Sequence, residues 1–407
     1  MMSSLRLAGF VLCALLAGAA SASAASSAVK YRDAPYIDNH SPGLGPVLFD
    51  AFGGGIFGWD MNQNGNDGLL SETVFEQNGF LNAIEIFDES TAKITKVVQK
   101  RITNGEGPEP VVEAVAGNDV GLIDDEQYHV VNGRIVRDDL FPEMNPVSGG
   151  KITGSWKPPH SKNLLTSFVT NNEASANQAV MALDLNSQGI DYPRMYLYDS
   201  ASDVWSKPYL WPANQVIGSG LPAGYLLYTG VDARINIAMV GVQVFPYSED
   251  DPPWFDFFDA KSGMLLHTLK GLGRGFINGM AIDSTTDIMC TTFQDMSVEF
   301  LNVSTGKGIV VQIPVFHGGG PLTNGAAVAV DPIHHLFLVA QLNSTFSPFG
   351  GSTVIVYDEH GKLIDAINGF AFLNTNTPVV VHIAVNPAAR IGYVPGAGQG
   401  ELQSFTY

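Results

Sequence analysis

Cysteine is nearly absent from this chain: 407 residues hold two, at positions 13 and 290. Cys13 lies inside an N-terminal apolar run that reads as a removable leader, so the remaining protein has one thiol and no intrachain disulfide. The fold must hold by packing. Cys290, in the strand-like stretch Asp287–Thr292, reads as a small buried hydrophobe. Positive charge is also scarce. Lys and Arg total 21 against 40 Asp and Glu, for a net charge of −19, and charged residues make up only 15% of the chain. Phosphate binding requires a basic surface, so a nucleic-acid partner is excluded from the expectations, and an anionic membrane surface is disfavoured for the same reason. No G-x-S-x-G, H-E-x-x-H or C-x-x-C occurs, and the glycine clusters at 53–55, 271–275 and 318–320 lack the Lys-Ser/Thr of a phosphate loop.

The apolar run near the N-terminus is too short and too rich in small residues for a membrane span. Arg6 precedes GFVLCALLAGAA (9–20), and ASASA (20–24) supplies small residues for cleavage near Ala22–Ala25. Leu12 before Cys13 argues against a lipoprotein cysteine. Residues 1–24 are therefore expected to be a signal peptide, leaving an exported protein, secreted or periplasmic, with no membrane span and a monomeric state. Residues 25–45, polar and punctuated by Pro and Gly, read as an extended lead-in.

What the chain has in quantity is short apolar runs and turns. Hydrophobic residues make up 45%, with 44 Gly and 23 Pro. In residues 324–368 the segments AAVAVD, HLFLVAQL, STVIVYD and KLIDAI alternate with Asp-Pro, Gly/Ser/Pro and Asp-Glu-His-Gly punctuation, the pattern of β-strands joined by turns. Four strands in roughly 45 residues is the size of one propeller blade. Similar units follow one another from about residue 46: NAIEIFD and ITKVVQ in the first, VVEAVAG to RIVRDD in the second, and LLTSFVT to DVW in the third. GYLLYTGVD to MLLHTLKG form the fourth, NGMAID to IVVQIP the fifth, residues 324–368 the sixth and the C-terminal stretch the seventh. GMAID (279–283), AAVAVD (326–331) and IAVN (383–386) repeat a small apolar strand ending in Asp or Asn. FFDAKSG, FLNVSTG and VYDEHG repeat the hairpin into a fourth strand. The expectation is an all-β chain: a β-propeller of seven blades, each of four antiparallel strands, over residues 46–407. The last unit shows only three strands before Tyr407, so a segment within about 28–52, containing VLFDAF, is expected to supply its outer strand and close the ring.

AVDP (329–332) and AVNP (384–387), each followed by an apolar strand, LFLV or IGYV, resemble the exported propeller repeats grouped as YVTN/YncE-like or NHL-like. The likeness covers the last three or four units and implies fold; families built on these repeats are functionally mixed. The run NGMAID (278–283) is similar to a strand of the gluconolactonase/SMP-30 type of propeller, where the resemblance implies that the Asn ligates a catalytic divalent ion.

Two candidate sites follow. In DMNQNGNDGLLSE (60–72), Asp60, Asn62 and Asn64 alternate around Gly65, with Asp67 beyond, an array of oxygen donors suited to Ca²⁺. It departs from an EF-hand at the twelfth position, where Ser71 stands and Glu72 comes one residue late; an Asn/Gly-rich surface loop is the other reading. The second site is the mouth of a central channel, where Asn278, Asn324 and His382 stand at or near the starts of innermost strands, with Glu85 and Glu113 as possible carboxylate partners. Asn-Gly as a simple turn is the alternative there. With no coherent catalytic set, the leading expectation is a noncatalytic binding protein for a protein, peptide or glycan. The alternative is a metal-dependent lactonase- or esterase-like hydrolase.

Overall fold

The structure is a computed structural model. It describes the strands given below and, beyond them, residues 43, 51, 66, 89–92, 234–236, 252–253, 262, 264, 271–275, 284–287, 295–296, 303–306, 313, 332–335, 359–362, 383, 387–390, 400 and 407. Among these residues every regular element is a strand, and no helix is long and apolar enough to cross a membrane.

In chain order the strands begin with β1 (Tyr31–Arg32), β2 (Tyr36–Ile37) and β3 (Leu44–Phe49). A meander follows: β4 (Gly55–Met61), β5 (Asp67–Glu76), β6 (Gly79–Asp88) and β7 (Lys93–Thr103). Shorter strands come next: β8 (Val112–Ala114), β9 (Leu122–Asp124), β10 (Tyr128–Val131), β11 (Arg134–Arg137) and β12 (Ser155–Trp156). Then come β13 (Ser167–Glu173), β14 (Gln178–Asp184), β15 (Arg194–Asp199), β16 (Val204–Trp205) and β17 (Tyr209–Leu210). The second half holds β18 (Gly224–Asp232), β19 (Ile237–Val244), β20 (Trp254–Asp259) and β21 (Leu265–Lys270), followed by β22 (Ile277–Asp283), β23 (Ile288–Phe293), β24 (Ser297–Asn302) and β25 (Lys307–Gln312). It ends with β26 (Val315–Phe316), β27 (Leu322–Asp331), β28 (Leu336–Asn343), β29 (Ser352–Asp358), β30 (Leu363–Phe370), β31 (Ala384–Asn386), β32 (Ile391–Pro395) and β33 (Glu401–Thr406).

Each complete unit is an antiparallel meander: β4–β7, β18–β21, β22–β25 and β27–β30 pair in sequence order. The expected second unit divides instead. Among the described residues β8 pairs with β9, while β10, β11 and β12 form a separate sheet. The N-terminal strand expected to complete the last unit is β3, whose Val47, Leu48 and Phe49 lie opposite Gln403, Leu402 and Glu401, giving the order β3-β33-β32-β31. On the way there, β1 adds in parallel to the outer edge of β25 and β2 in parallel to β26.

Consecutive rather than alternating residues are buried along β22, β23 and β24, so both faces of these strands are covered and the core lies between sheets. Met239, Phe255 and Phe257 meet Met280, Met289 and Leu301 between β18–β21 and β22–β25. Cys290 and Phe300 meet Phe337 and Tyr357 at the next boundary, where the Phe300 ring stands edge-on to both partners at 5.7 and 5.5 Å. Leu338, Val356 and Phe370 meet Val385, Val394 and Phe405. Finally, Leu48, Tyr393 and Leu402 of the last sheet meet Met61, Leu70 and Phe87 of the first. The aromatic run at 254–258 is thus core: Phe255, Phe257 and Phe258 are fully buried, while Trp254 is left at the rim under Lys270.

Candidate functional site

The two ends of these sheets differ in kind. At one end, the first strand of a unit ends in a buried Asp or Asn that caps the turn into the second: Asp232, Asp283, Asp331 and Asn386. Their side-chain oxygens accept from backbone N–H groups two or three residues on. Asp331 takes Ile333 and His334 at 2.9 Å each; Asn386 takes Ala388 at 3.0 Å and Ala389 at 3.2 Å; Asp283 takes Thr285 at 2.9 Å; Asp232 takes Ile235 at 3.3 Å. The fourth turn residue is left-handed every time, at Asn236, Asp287, His335 and Arg390, with φ between 54 and 59°. Asn, Asp and His tolerate that conformation; Arg390 adopts it at a cost and stacks its guanidinium on Tyr407. The hairpins into fourth strands are capped in the same way by Asp88, Asp259, Asn302 and Asp358. Bonds from Ser90 and Thr91 hold the Asp88 carboxyl below its ordinary range.

These turns also tie neighbouring sheets together. Arg234 donates from Nε to the Ser284 carbonyl at 3.0 Å and from Nη2 to Asp287. Nδ1 of His335 lies 2.9 Å from Asp283 Oδ2 and 3.1 Å from Thr285 Oγ1, so the Nδ1–H tautomer bonds to the preceding sheet. Asn386 donates to buried Glu89 at 2.6 Å, and the Tyr393 hydroxyl donates to the Glu89 carbonyl at 2.7 Å, joining last sheet to first. His334 and His335 are both exposed, as expected for a turn, yet each faces a fully buried carboxylate.

The opposite end is built differently. Turns at the capped end between complete pairs of strands are four or five residues long, whereas connections at the other end run from two residues (77–78) and three (294–296) to eight (344–351), nine (185–193 and 245–253) and thirteen (211–223 and 371–383). There the innermost strands bulge: between Ile56 and Gly58, Leu226 and Tyr228, Ile277 and Gly279, and Leu322 and Gly325. A bulge re-aims a side chain and is common beside functional sites. In β22 the bulged residue is Asn278, which is half-buried. Immediately after it, the backbone of Gly279 approaches β27 so closely that a Cβ would stand 2.8 Å from Ala327 Cα.

Asn324 lies in the irregular start of β27, the strand beside β22, so the sequence-derived pair of asparagines falls on adjacent innermost strands. His382 lies outside the described residues, as do Asn62 and Asn64. Asp60 is the penultimate residue of β4 and Asp67 the first of β5, so the proposed calcium loop spans the β4–β5 turn. Of the possible carboxylate partners, Glu113 stands in β8, and Glu85 is fully buried and accepts the Ala51 N–H at 3.0 and 3.1 Å.

Sequence reasoning missed the role of such carboxylates. Glu299 occupies the register of Glu85, three residues before the end of a third strand, and accepts the Leu272 N–H at 3.1 Å. Ala51 and Leu272 each lie two residues beyond the outer strand of the preceding sheet, β3 or β21. Both carboxylates therefore hold the chain where it crosses from one sheet to the next. Burial pushes Glu299 up to about 8, against the opposing effect of the Leu272 bond. Burial, then the nearby Glu299 charge, pushes the Cys290 thiol well above its ordinary value, leaving it an inert core residue.

No family model matches the chain, and no curated protein matches it. Among solved structures, it is similar to Raptor of Chaetomium thermophilum, with 10% identity and a TM-score of 0.55 over 89% of this chain and 29% of that one. It is also similar to the Myceliophteria thermophila Cps50 (Swd1) beta-propeller domain, with 12% identity and a TM-score of 0.54 over 90% of this chain and 99% of that domain. The fold is a β-propeller. Each four-stranded meander is accordingly a blade, with the capped turns at one end of its strands and the ends joined by the long connections at the other. At these identities the likeness concerns fold alone, and neither neighbour assigns the YVTN, NHL or SMP-30 repeat families.

Proposed function

We propose that the protein is an exported, monomeric, noncatalytic propeller of seven blades that binds a protein, peptide or glycan with the face carrying its long connections. The observation that carries this reading is the asymmetry of the two ends. The capped face spends its polar side chains on its own backbone and on neighbouring turns, which fixes it. The opposite face concentrates connection length on a rigid frame, the usual disposition of a recognition surface. The sequences there suit contact: FPYSEDDPP (245–253) and STFSPFGG (344–351) mix Phe and Tyr anchors with Ser, Thr, Asp and Gly. The seventh blade is the β31–β33 sheet completed by β3, and its packing on the first blade supports a closed ring. The leader at 1–24 supports export, and the loop of Asp60, Asn62, Asn64 and Asp67 supports a structural Ca²⁺.

A metal-dependent lactonase-like hydrolase is the second reading, favoured by the bulge at Asn278 beside the strand of Asn324. One experiment separates the two. Peptide and glycan arrays probed with the purified mature protein should show saturable binding. Replacing 344–351 or 245–251 with a two-residue Asn-Gly turn should abolish it, and Lys307→Glu on the capped face should leave it intact. Binding indifferent to both replacements, or metal-dependent turnover of lactones or esters lost in Asn278→Ala, would overturn the binding reading.

A further inference from the structure

We propose that Asn302 is an N-glycosylation site, carrying an oligosaccharide on its Nδ2 at the capped end of the β22–β25 blade. The inference rests on the export reading above, because the sugar is attached in a secretory pathway. Asn302-Val303-Ser304 is one of three N-x-S/T triplets; the others start at Asn39, outside the described residues, and at Asn343, the last residue of β28. Such triplets arise by chance, so what decides is how the side chain is used in the turn. Asn302 Oδ1 accepts from the Thr305 N–H and from the Thr305 hydroxyl, each at 2.9 Å. Asp88, Asp259 and Asp358 make the same cap in three other blades. Among these four caps Asn302 alone is an amide.

In two of those blades the second oxygen of the cap is used as well. Asp88 Oδ2 accepts from Asn66 Nδ2 at 2.8 Å, and Asp259 Oδ2 accepts from Asn236 Nδ2 at 2.9 Å. Asn66, Asn236 and Asp287 each stand immediately before the second strand of their blade, so in the β22–β25 blade acid and amide have exchanged places. The mirrored bond, from Asn302 Nδ2 to Asp287, is not made: Arg234 Nη2 donates to Asp287 Oδ1, and Ser304 Oγ donates to Oδ2 at 2.8 Å. Asn302 Nδ2 is left without a partner among the described residues, and it is not buried. Attachment of a sugar consumes that group alone. A bond forms between Nδ2 and the anomeric carbon of a lipid-linked oligosaccharide, the lipid pyrophosphate leaves, and one amide proton is released with it. Oδ1 stays an amide carbonyl that accepts from Thr305, so the cap survives the modification. Val303 is fully buried, and its N–H donates to the Asp287 carbonyl at 2.9 Å. The triplet is therefore open to a transferase only before this turn packs, and the glycan is added to the unfolded chain.

The test is a tryptic digest of the full chain as its own source produces it. Residues 275–307 form one peptide, and its single N-x-S/T triplet is the one at Asn302. This peptide should carry a hexosamine-containing mass that peptide N-glycosidase removes, leaving an aspartate at the attachment position. Asn302→Asp and Ser304→Ala, expressed in the same source, should each lack the mass, and Ser304→Thr should keep it. N-terminal sequencing of the same sample separates this proposal from the export reading. If the leader is removed and the peptide is recovered wholly unmodified, the glycan is overturned while export stands. If the leader is retained, export fails and the proposal with it. A mass that persists in Asn302→Asp belongs to another residue and equally overturns the assignment.

Discussion

Changing Glu299 to Gln isolates the stability cost of a buried acid. Its side chain is fully buried, one oxygen holds the Leu272 N–H, and the other has no hydrogen-bond partner. Its carboxyl is raised from 4.5 to about 8. Below the lower value the group is protonated in both folded and unfolded chains. Between the two, the unfolded chain releases the proton while the folded chain keeps it, so folding stability falls as pH rises and reaches its floor past the folded value. The slope is about 1.4 kcal/mol per pH unit, so the loss between pH 5 and 8 is on the order of 4 kcal/mol. Glu299→Gln keeps an oxygen for Leu272 and cannot ionise. Its amide hydrogens start without a partner, a constant penalty of about 1–3 kcal/mol that does not vary with pH. Denaturant titrations followed by tryptophan fluorescence at intervals from pH 4.5 to 9 give both stabilities, and their difference cancels every other titrating group. The variant should gain on wild type steadily up to about pH 8 and then run parallel. A flat difference, or a wild type that gains on the variant with rising pH, would refute the assignment of a proton to this buried carboxyl.

Gly279→Ala places a methyl carbon against the Ala327 backbone, which cannot yield as a side-chain tip could, so it should cost about 1–3 kcal/mol in denaturant titration, and an unchanged midpoint would contradict the close approach of β22 and β27. If the β4–β5 loop holds Ca²⁺, metal analysis of the mature protein should find it, EDTA should lower the melting temperature, and Asp60→Ala should abolish both effects; metal lost with Asn278→Ala instead would move the ion to the channel mouth.

The architecture was legible because it is written in local signals that repeat. A strand ending in Asp or Asn followed by a four-residue turn recurs at Asp232, Asp283, Asp331 and Asn386, and the capping that selects those residues acts within three positions of chain. That the last unit shows only three strands before Tyr407 was visible by counting, and β3 supplies the fourth. The candidate sites were less legible. Spacing placed Asn278 and Asn324 at equivalent strand starts, and the structure sets those strands side by side, but whether their amides meet an ion depends on residues contributed from far along the chain. The Arg234–Asp287 pair was invisible for the same reason: each residue alone reads as an ordinary turn residue, and only the packing of two blades brings them together.

The crossover carboxylates show where a signal existed and was not used. Glu85, Glu299 and Ile355 occupy one register, three residues before the ends of β6, β24 and β29. For the first two, the residue two beyond the preceding outer strand is Ala51 or Leu272, each with an N–H to donate. For the third it is Pro314, which has none. A buried carboxylate there would have faced desolvation without a donor, and the chain carries isoleucine, fully buried in the apolar boundary with the previous blade. In these three blades acceptor and donor change together, because a buried carboxylate needs a donor. Asp256, at the same register of β20 and preceded by Pro212 two residues beyond β17, takes its donor instead from the Thr268 hydroxyl at 2.6 Å. Comparing such pairs between repeats, rather than scanning for motifs along one repeat, is what finds a residue like Glu299 before the fold is known.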